Sequence, residues 1–167
     1  MPIGGDGRNT VHMFFMTHGL IRRGGEIWQY VGGHDGNGIG YHSAFGQKGP
    51  WPLFRVVQRL DGFVAAEAAY TGGMLKTRPL TFRGNRLKLN IDTGATGYAQ
   101  VGFLDQAGKP IPGFSVDDCV YINGDFLDTP VEWLNRGSDV APLQGRTVQI
   151  VYRMRGSKLY AMQFVNE

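Results

Sequence analysis

Several stretches of the chain alternate apolar and polar residues with a period of two. In LKLNID, at residues 87–92, Leu87, Leu89 and Ile91 fall on one side while Lys88, Asn90 and Asp92 fall on the other. That pattern predicts a half-buried β-strand, because successive side chains of an extended chain point to opposite faces. TVQIVYRM at 147–154 repeats it, with Val148, Ile150, Tyr152 and Met154 on the inner side. Further strands are expected at FVAAEAAY (63–70), YAQVGFLD (98–105) and LYAMQFV (159–165). The turn-forming segments DQAGKP (105–110) and RGSK (155–158) read as hairpins between antiparallel neighbours. No segment shows the 3.6-residue period of an amphipathic helix. The expected fold is all-β: an antiparallel β-sandwich of jelly-roll, concanavalin A-like type, over residues 58–167.

Residues 1–57 have a different texture. They offer two strand candidates, VHMFFM (11–16) and EIWQYVG (26–32), joined by the hairpin-like LIRRGG, and then a loop-like run from Gly33 to Pro52. So few strands are only marginally stable alone. This extension is expected to dock on the sandwich or to pair with another copy, which makes a homo-oligomer through the N-terminal strands the expected assembly.

Composition narrows the classes. Glycine contributes 26 of 167 residues, about twice the usual share, in keeping with short strands joined by tight turns. The 42% hydrophobic and 19% charged fractions are those of a globular domain, and no apolar run approaches the ~18 residues of a membrane span. The longest uninterrupted apolar stretch near the start, Met13 to Met16, is too short for the core of a secretory signal. The net charge of +3 is dispersed, with Arg22–Arg23 its densest point, so neither nucleic acid nor a membrane is an expected partner. Cys119 is the single cysteine, which excludes an internal disulfide; it reads as a buried residue rather than a nucleophile.

Over most of its length the sequence resembles a known family. GLIRRGGEIWQYVGG (19–33), the long run from RLDGFVAAEAAY at Arg59 through GFSVDDC at Cys119, and GSDVAPLQGRTVQIVYRMRGSKLYAMQF (137–164) resemble the C-terminal end of bacterial proteins related to glycoside hydrolase family 32. The resemblance implies a β-sandwich from Arg59 to Phe164, preceded at 11–33 by the last strands of a β-propeller. The family's catalytic carboxylates lie on earlier blades, so the resemblance passes no catalytic residue to this chain. It implies an accessory domain with a blade remnant, acting on or binding carbohydrate.

Glycosidic hydrolysis uses two carboxyl groups about 5–9.5 Å apart. Glu26, Asp35, Asp61, Glu67, Asp118 and Glu132 are the eligible acids, with Glu26 and Asp35 the catalytic candidates, either within the chain or across two subunits. Sugar binding needs aromatic planes and polar groups that catch hydroxyls. Trp28 and Tyr30 share one side of EIWQYVG, and His34, Tyr41, His42 and Trp51 follow; these six are the expected carbohydrate-binding residues, with Trp133 a further aromatic. All four histidines lie before residue 43, yet their spacing fits no zinc motif. DGNGIG opens like a calcium loop, but Gly46 stands where its bidentate glutamate would be needed. No metal and no cofactor is expected. The ligand expected is an oligo- or polysaccharide, with a glycosidase or a purely structural assembly module as alternatives.

Overall fold

The computed structural model describes residues 11–35 and 53–167, with side-chain surroundings for 16–32 and 53–167. The chain divides into Met1–Leu60 and Asp61–Glu167.

The N-terminal unit is one antiparallel sheet made of β1 (Val11–Met16), β2 (Ile21–Arg23), β3 (Glu26–Asp35) and β4 (Leu53–Arg59). The long strand β3 is its centre. β1 and β2 follow one another along one edge of β3, and β4 lies along the other. Between β1 and β2 the ladder is kept by Thr17, whose backbone N–H (3.0 Å) and Oγ1 (2.8 Å) both donate to the carbonyl of Tyr30. Arg23 faces Glu26 across a two-residue turn at Gly24–Gly25, and Gly24 has φ 58°. A tight hairpin of this kind needs the left-handed backbone, which glycine supplies without steric cost.

Two sequence expectations change here. GHD at 33–35, read as the start of a loop, is the end of β3: Gly33, His34 and Asp35 pair with Phe14, Met13 and Val11. The unit also ends after residue 57, because β4 pairs Arg59 with Glu26 and Leu60 N–H reaches Gly25 O at 2.8 Å.

The C-terminal unit is an all-β sandwich. Its strands are β5 (Ala66–Ala68), β6 (Gly73–Lys76), β7 (Arg86–Asp92), β8 (Tyr98–Leu104), β9 (Asp125–Pro130), β10 (Gln149–Arg155) and β11 (Ser157–Val165). One sheet has the order β5-β11-β7-β9 and the other β6-β10-β8, all antiparallel. Each strand therefore lies in the other sheet from the one before it, which is the winding of a jelly roll. Residues 120–123 extend the second sheet beyond β8, since Ala99 and Ile122 exchange two backbone hydrogen bonds of 2.9 Å. A 3-10 turn at Ala141–Leu143 is the one helical element among the described residues.

This winding corrects the reading of RGSK. The turn joins β10 to β11, which belong to different sheets, so it is a crossing over the end of the sandwich and not a hairpin. Gly156, at φ 53°, makes that step beneath the ring of Tyr70, where a Cβ would lie 2.7 Å from Tyr70 Cε1. FVAAEAAY likewise yields only the three residues of β5, because β11 offers it just Ser157, Lys158 and Leu159 as partners.

The alternating positions meet as the sequence predicts. Leu87, Leu89 and Ile91 of β7 are buried in one cluster with Val101 and Phe103 of β8 and Ile150 and Tyr152 of β10. Burying a side chain of this size contributes roughly 1.5–3 kcal/mol. Phe103 is the hub of the aromatic packing, with the rings of Trp133, Phe114, Phe82 and Phe164 centred 5.6, 6.0, 6.0 and 6.5 Å away.

Three groups tie this packing to pH. Burial pushes the Cys119 thiol up from its ordinary value to about 11, and burial also raises the Tyr152 hydroxyl well above the usual tyrosine range. Lys88 is raised by its bond to Glu167 and then by that to Asp128. All three folded-state values lie above the unfolded ones, so the folded form holds protons more tightly. Their stabilising contribution is complete below about pH 9 and is lost as pH rises through the folded values. The melting temperature should be level from pH 7 to about 8.5 and fall beyond about pH 9. In Cys119→Ala the decline between pH 9 and 11 should be shallower; an unchanged slope would remove the thiol from this account.

Candidate functional site

On β3, Glu26, Trp28 and Tyr30 project from one face, and the pairing register sets their neighbours. Ile21 and Val57 stand opposite Trp28, Arg55 opposite Tyr30, and Arg23 and Arg59 on either side of Glu26. Diagonal neighbours on adjacent strands lie within reach of long side chains. The guanidinium carbons of Arg55 and Arg23 accordingly sit 4.1 and 5.1 Å from the centre of the Trp28 ring. The indole N–H donates to Glu26 Oε2 at 2.7 Å. Trp28 is thus held by its own sheet, and its ring is a support for two cations rather than a bare plane for a sugar.

The expected catalytic pair does not come together within the chain. Glu26 and Asp35 are the two ends of the uninterrupted strand β3. At about 3.3 Å per residue their backbones stand on the order of 30 Å apart, far beyond the reach of one glycosidic bond. His34 shares the end of β3 with Asp35, and the side chains of both lie outside the described residues, as do Tyr41, His42 and Trp51 entirely. Among the described residues no group of three or more His, Cys, Asp or Glu could hold a metal ion.

The other candidates disperse over the sandwich. Trp133 is a core residue, 1% exposed, with its indole N–H bonded to Val101 O at 3.0 Å. Asp118 closes a turn by accepting from Ser115 Oγ (2.7 Å) and Ser115 N–H (3.2 Å). Asp61 sits in a turn with φ 57°. Glu67 belongs to a charge ladder across three strands, in register with Lys158, which is in turn in register with Asp92. Cys119 is buried.

Glu67 and Asp92 line one concavity with the ring of Tyr70, and Glu132 lies in another that bears two exposed rings. Residues 118–122, tied to β8 through the Ala99–Ile122 pair, also hydrogen-bond along 132–134, through Val120 N–H to Glu132 O and Leu134 N–H to Asp118 O, both 2.9 Å. Between this segment and β9 runs a groove of about 200 Å³, lined by Val120, Tyr121, Asn123, Phe126, Thr129 and Glu132. The Tyr121 ring is 62% exposed and meets Tyr98 edge-on, with centres 5.1 Å apart. Phe126 is 37% exposed and covers Gly124, whose missing side chain makes room for it: a Cβ there would lie 2.7 Å from Phe126 Cζ. Asn123 is fixed by donating its amide to Gly97 O at 2.6 Å.

Sequence reasoning missed this groove, although a signal was present. Val120–Tyr121 and Phe126–Leu127 are adjacent apolar pairs in extended segments. Neighbours on an extended chain face opposite ways, so one of each pair has to leave the core. No protein family, characterised protein or solved structure matches the chain.

Proposed function

We propose that this chain is a carbohydrate-binding β-sandwich protein of glycoside hydrolase descent, which takes one stretch of an oligo- or polysaccharide in the groove beside β9. The observation that carries this reading is the pairing of two exposed rings, Tyr121 and Phe126, with the polar groups of Asn123, Thr129 and Glu132 in one concavity. Apolar faces of pyranose rings pack on aromatic planes while their hydroxyls need directed hydrogen bonds. At about 200 Å³ the groove is smaller than the ~300–1,000 Å³ pockets that enclose whole ligands, so it suits a single ring of a longer chain. It is lined by one carboxylate, Glu132, whereas hydrolysis ordinarily takes two; binding is therefore the favoured activity.

Isothermal titration against a panel of soluble plant, algal and bacterial glycans tests the reading. A binding glycan should lose about tenfold in affinity to Tyr121→Ala, the weight of one aromatic contact, with no change in melting temperature. Silence across the panel would refute glycan binding, and a ligand indifferent to Tyr121→Ala would place the site elsewhere.

A further inference from the structure

The N-terminal sheet holds two cations whose guanidinium groups make no hydrogen bond with the described residues. Arg23 comes to Trp28 from β2 and Arg55 from β4, on opposite sides of β3, and both place their guanidinium carbons over the indole. Both are exposed, and neither makes a hydrogen bond or ion pair with another described residue. A cation–π contact leaves the in-plane N–H groups of a guanidinium unconsumed. Those groups form the fork that matches a planar oxyanion in bidentate fashion. The Trp28–Glu26 hydrogen bond fixes the indole on which both cations gather.

The register places Arg23 and Arg55 on this face, where Glu26 is the one carboxylate among the described residues. Two like charges drawn to one ring repel each other, and a bound anion would relieve that repulsion. The face is open, since Ile21 and Val57, the cross-strand neighbours of Trp28, are 47% and 43% exposed. Tyr30, half-buried and opposite Arg55, adds an aromatic surface next to the fork. A nucleic-acid backbone would ask for a row of cations along several phosphates, which two free arginines do not provide.

We infer that the Arg23–Trp28–Arg55 cluster binds an acidic sugar, a pyranose bearing a carboxylate or sulfate ester. The inference rests on the glycan-binding reading and adds a second, charge-selective site to it.

The test is isothermal titration of the full chain with three oligosaccharides of matched length: oligogalacturonate, a sulfated oligogalactan and a neutral galacto-oligosaccharide. At least one acidic arm should bind about tenfold tighter than the neutral one, and added salt should weaken it. The carboxylate and sulfate arms identify which oxyanion is used. The Arg23→Ala/Arg55→Ala double variant should lose the preference and keep its melting temperature, and Arg55→Lys should lose most of it, since charge without the fork does not suffice. Equal binding of acidic and neutral arms, or a preference that survives the double variant, would overturn the acidic-sugar site while leaving glycan binding standing. Equal affinity for inorganic polyphosphate or duplex DNA would overturn it in favour of a general polyanion surface. No binding of any oligosaccharide would defeat the glycan reading beneath it as well.

Discussion

Gly97→Ala is expected to unfold the C-terminal sandwich or to bring its melting temperature down by tens of degrees. Gly97 lies where the β7–β8 crossing meets the β10–β11 crossing. A Cβ at this position would fall within 2.5 Å of three backbone carbonyl oxygens, those of Thr93, Arg155 and Gly156. Backbone cannot yield as the tip of a flexible side chain can, so relief would require moving one of the two crossings. The same place is tied by Thr93 N–H to Gly124 O (3.0 Å), Gly124 N–H to Thr93 Oγ1 (2.8 Å) and Asn123 Nδ2 to Gly97 O (2.6 Å). Three connections that hold the two sheets in relation would be disturbed together. We expect a loss of roughly 4 kcal/mol or more, in the range reserved for overpacking at sites that cannot relax. Denaturant titration followed by circular dichroism measures it. A loss below about 1 kcal/mol would show that the crossings can separate, contrary to this account.

Trp133→Ala should be the next most damaging change. The side chain is 1% exposed and packs against Phe103 and Phe114, with ring centres 5.6 and 5.4 Å away. Removing a buried aromatic of this size costs about 3–5 kcal/mol. The indole N–H also leaves Val101 O without that donor, at a further ~1–3 kcal/mol if the acceptor stays dry. Trp133→Phe separates the two contributions, since it keeps most of the packing and removes only the hydrogen bond. It should therefore lose roughly 1–3 kcal/mol in the same titration. If Trp133→Ala instead melted like the unaltered protein but failed to bind glycan, Trp133 would be a ligand contact and the core placement would be wrong.

The central strands of the sandwich were the most legible in the sequence. LKLNID and YAQVGFLD stand within a residue of β7 and β8: the first alternates apolar and polar residues, and the second is a mostly apolar run buried on both faces between turn signals. VHMFFM coincides with β1, and EIWQYVG is the first seven residues of β3. The short strand β6, with Gly73 and Met74 among its four residues, left no such record: its placement comes from pairing with β10. β4 was hidden for another reason. Its residues are largely exposed, so LFRVVQR carries no clean alternation, and the register against β3 alone defines it.

The candidate sites were less legible than the strands. Trp28 and Tyr30 were picked out by their i, i+2 spacing, but their cationic neighbours, Arg23 of β2 and Arg55 of β4, are more than thirty residues apart in sequence. Glu132 was noted only as one acid among six; its company of Tyr121 and Phe126 follows from a segment folding back beside β9.

By itself, then, the sequence determined the all-β class, the positions of the well-patterned strands and the glycine-rich turns, because these depend on neighbours two to four residues away. It also determined that Cys119 could form no internal disulfide. Only the tertiary structure decided that successive strands change sheets, that RGSK is a crossing, that Glu26 and Asp35 stand at opposite ends of one strand, and that arginines from two strands share one indole. Each of these is a relation between residues distant in the chain. Such relations are set by register and by which faces pack together, and a local pattern of apolar and polar positions carries neither.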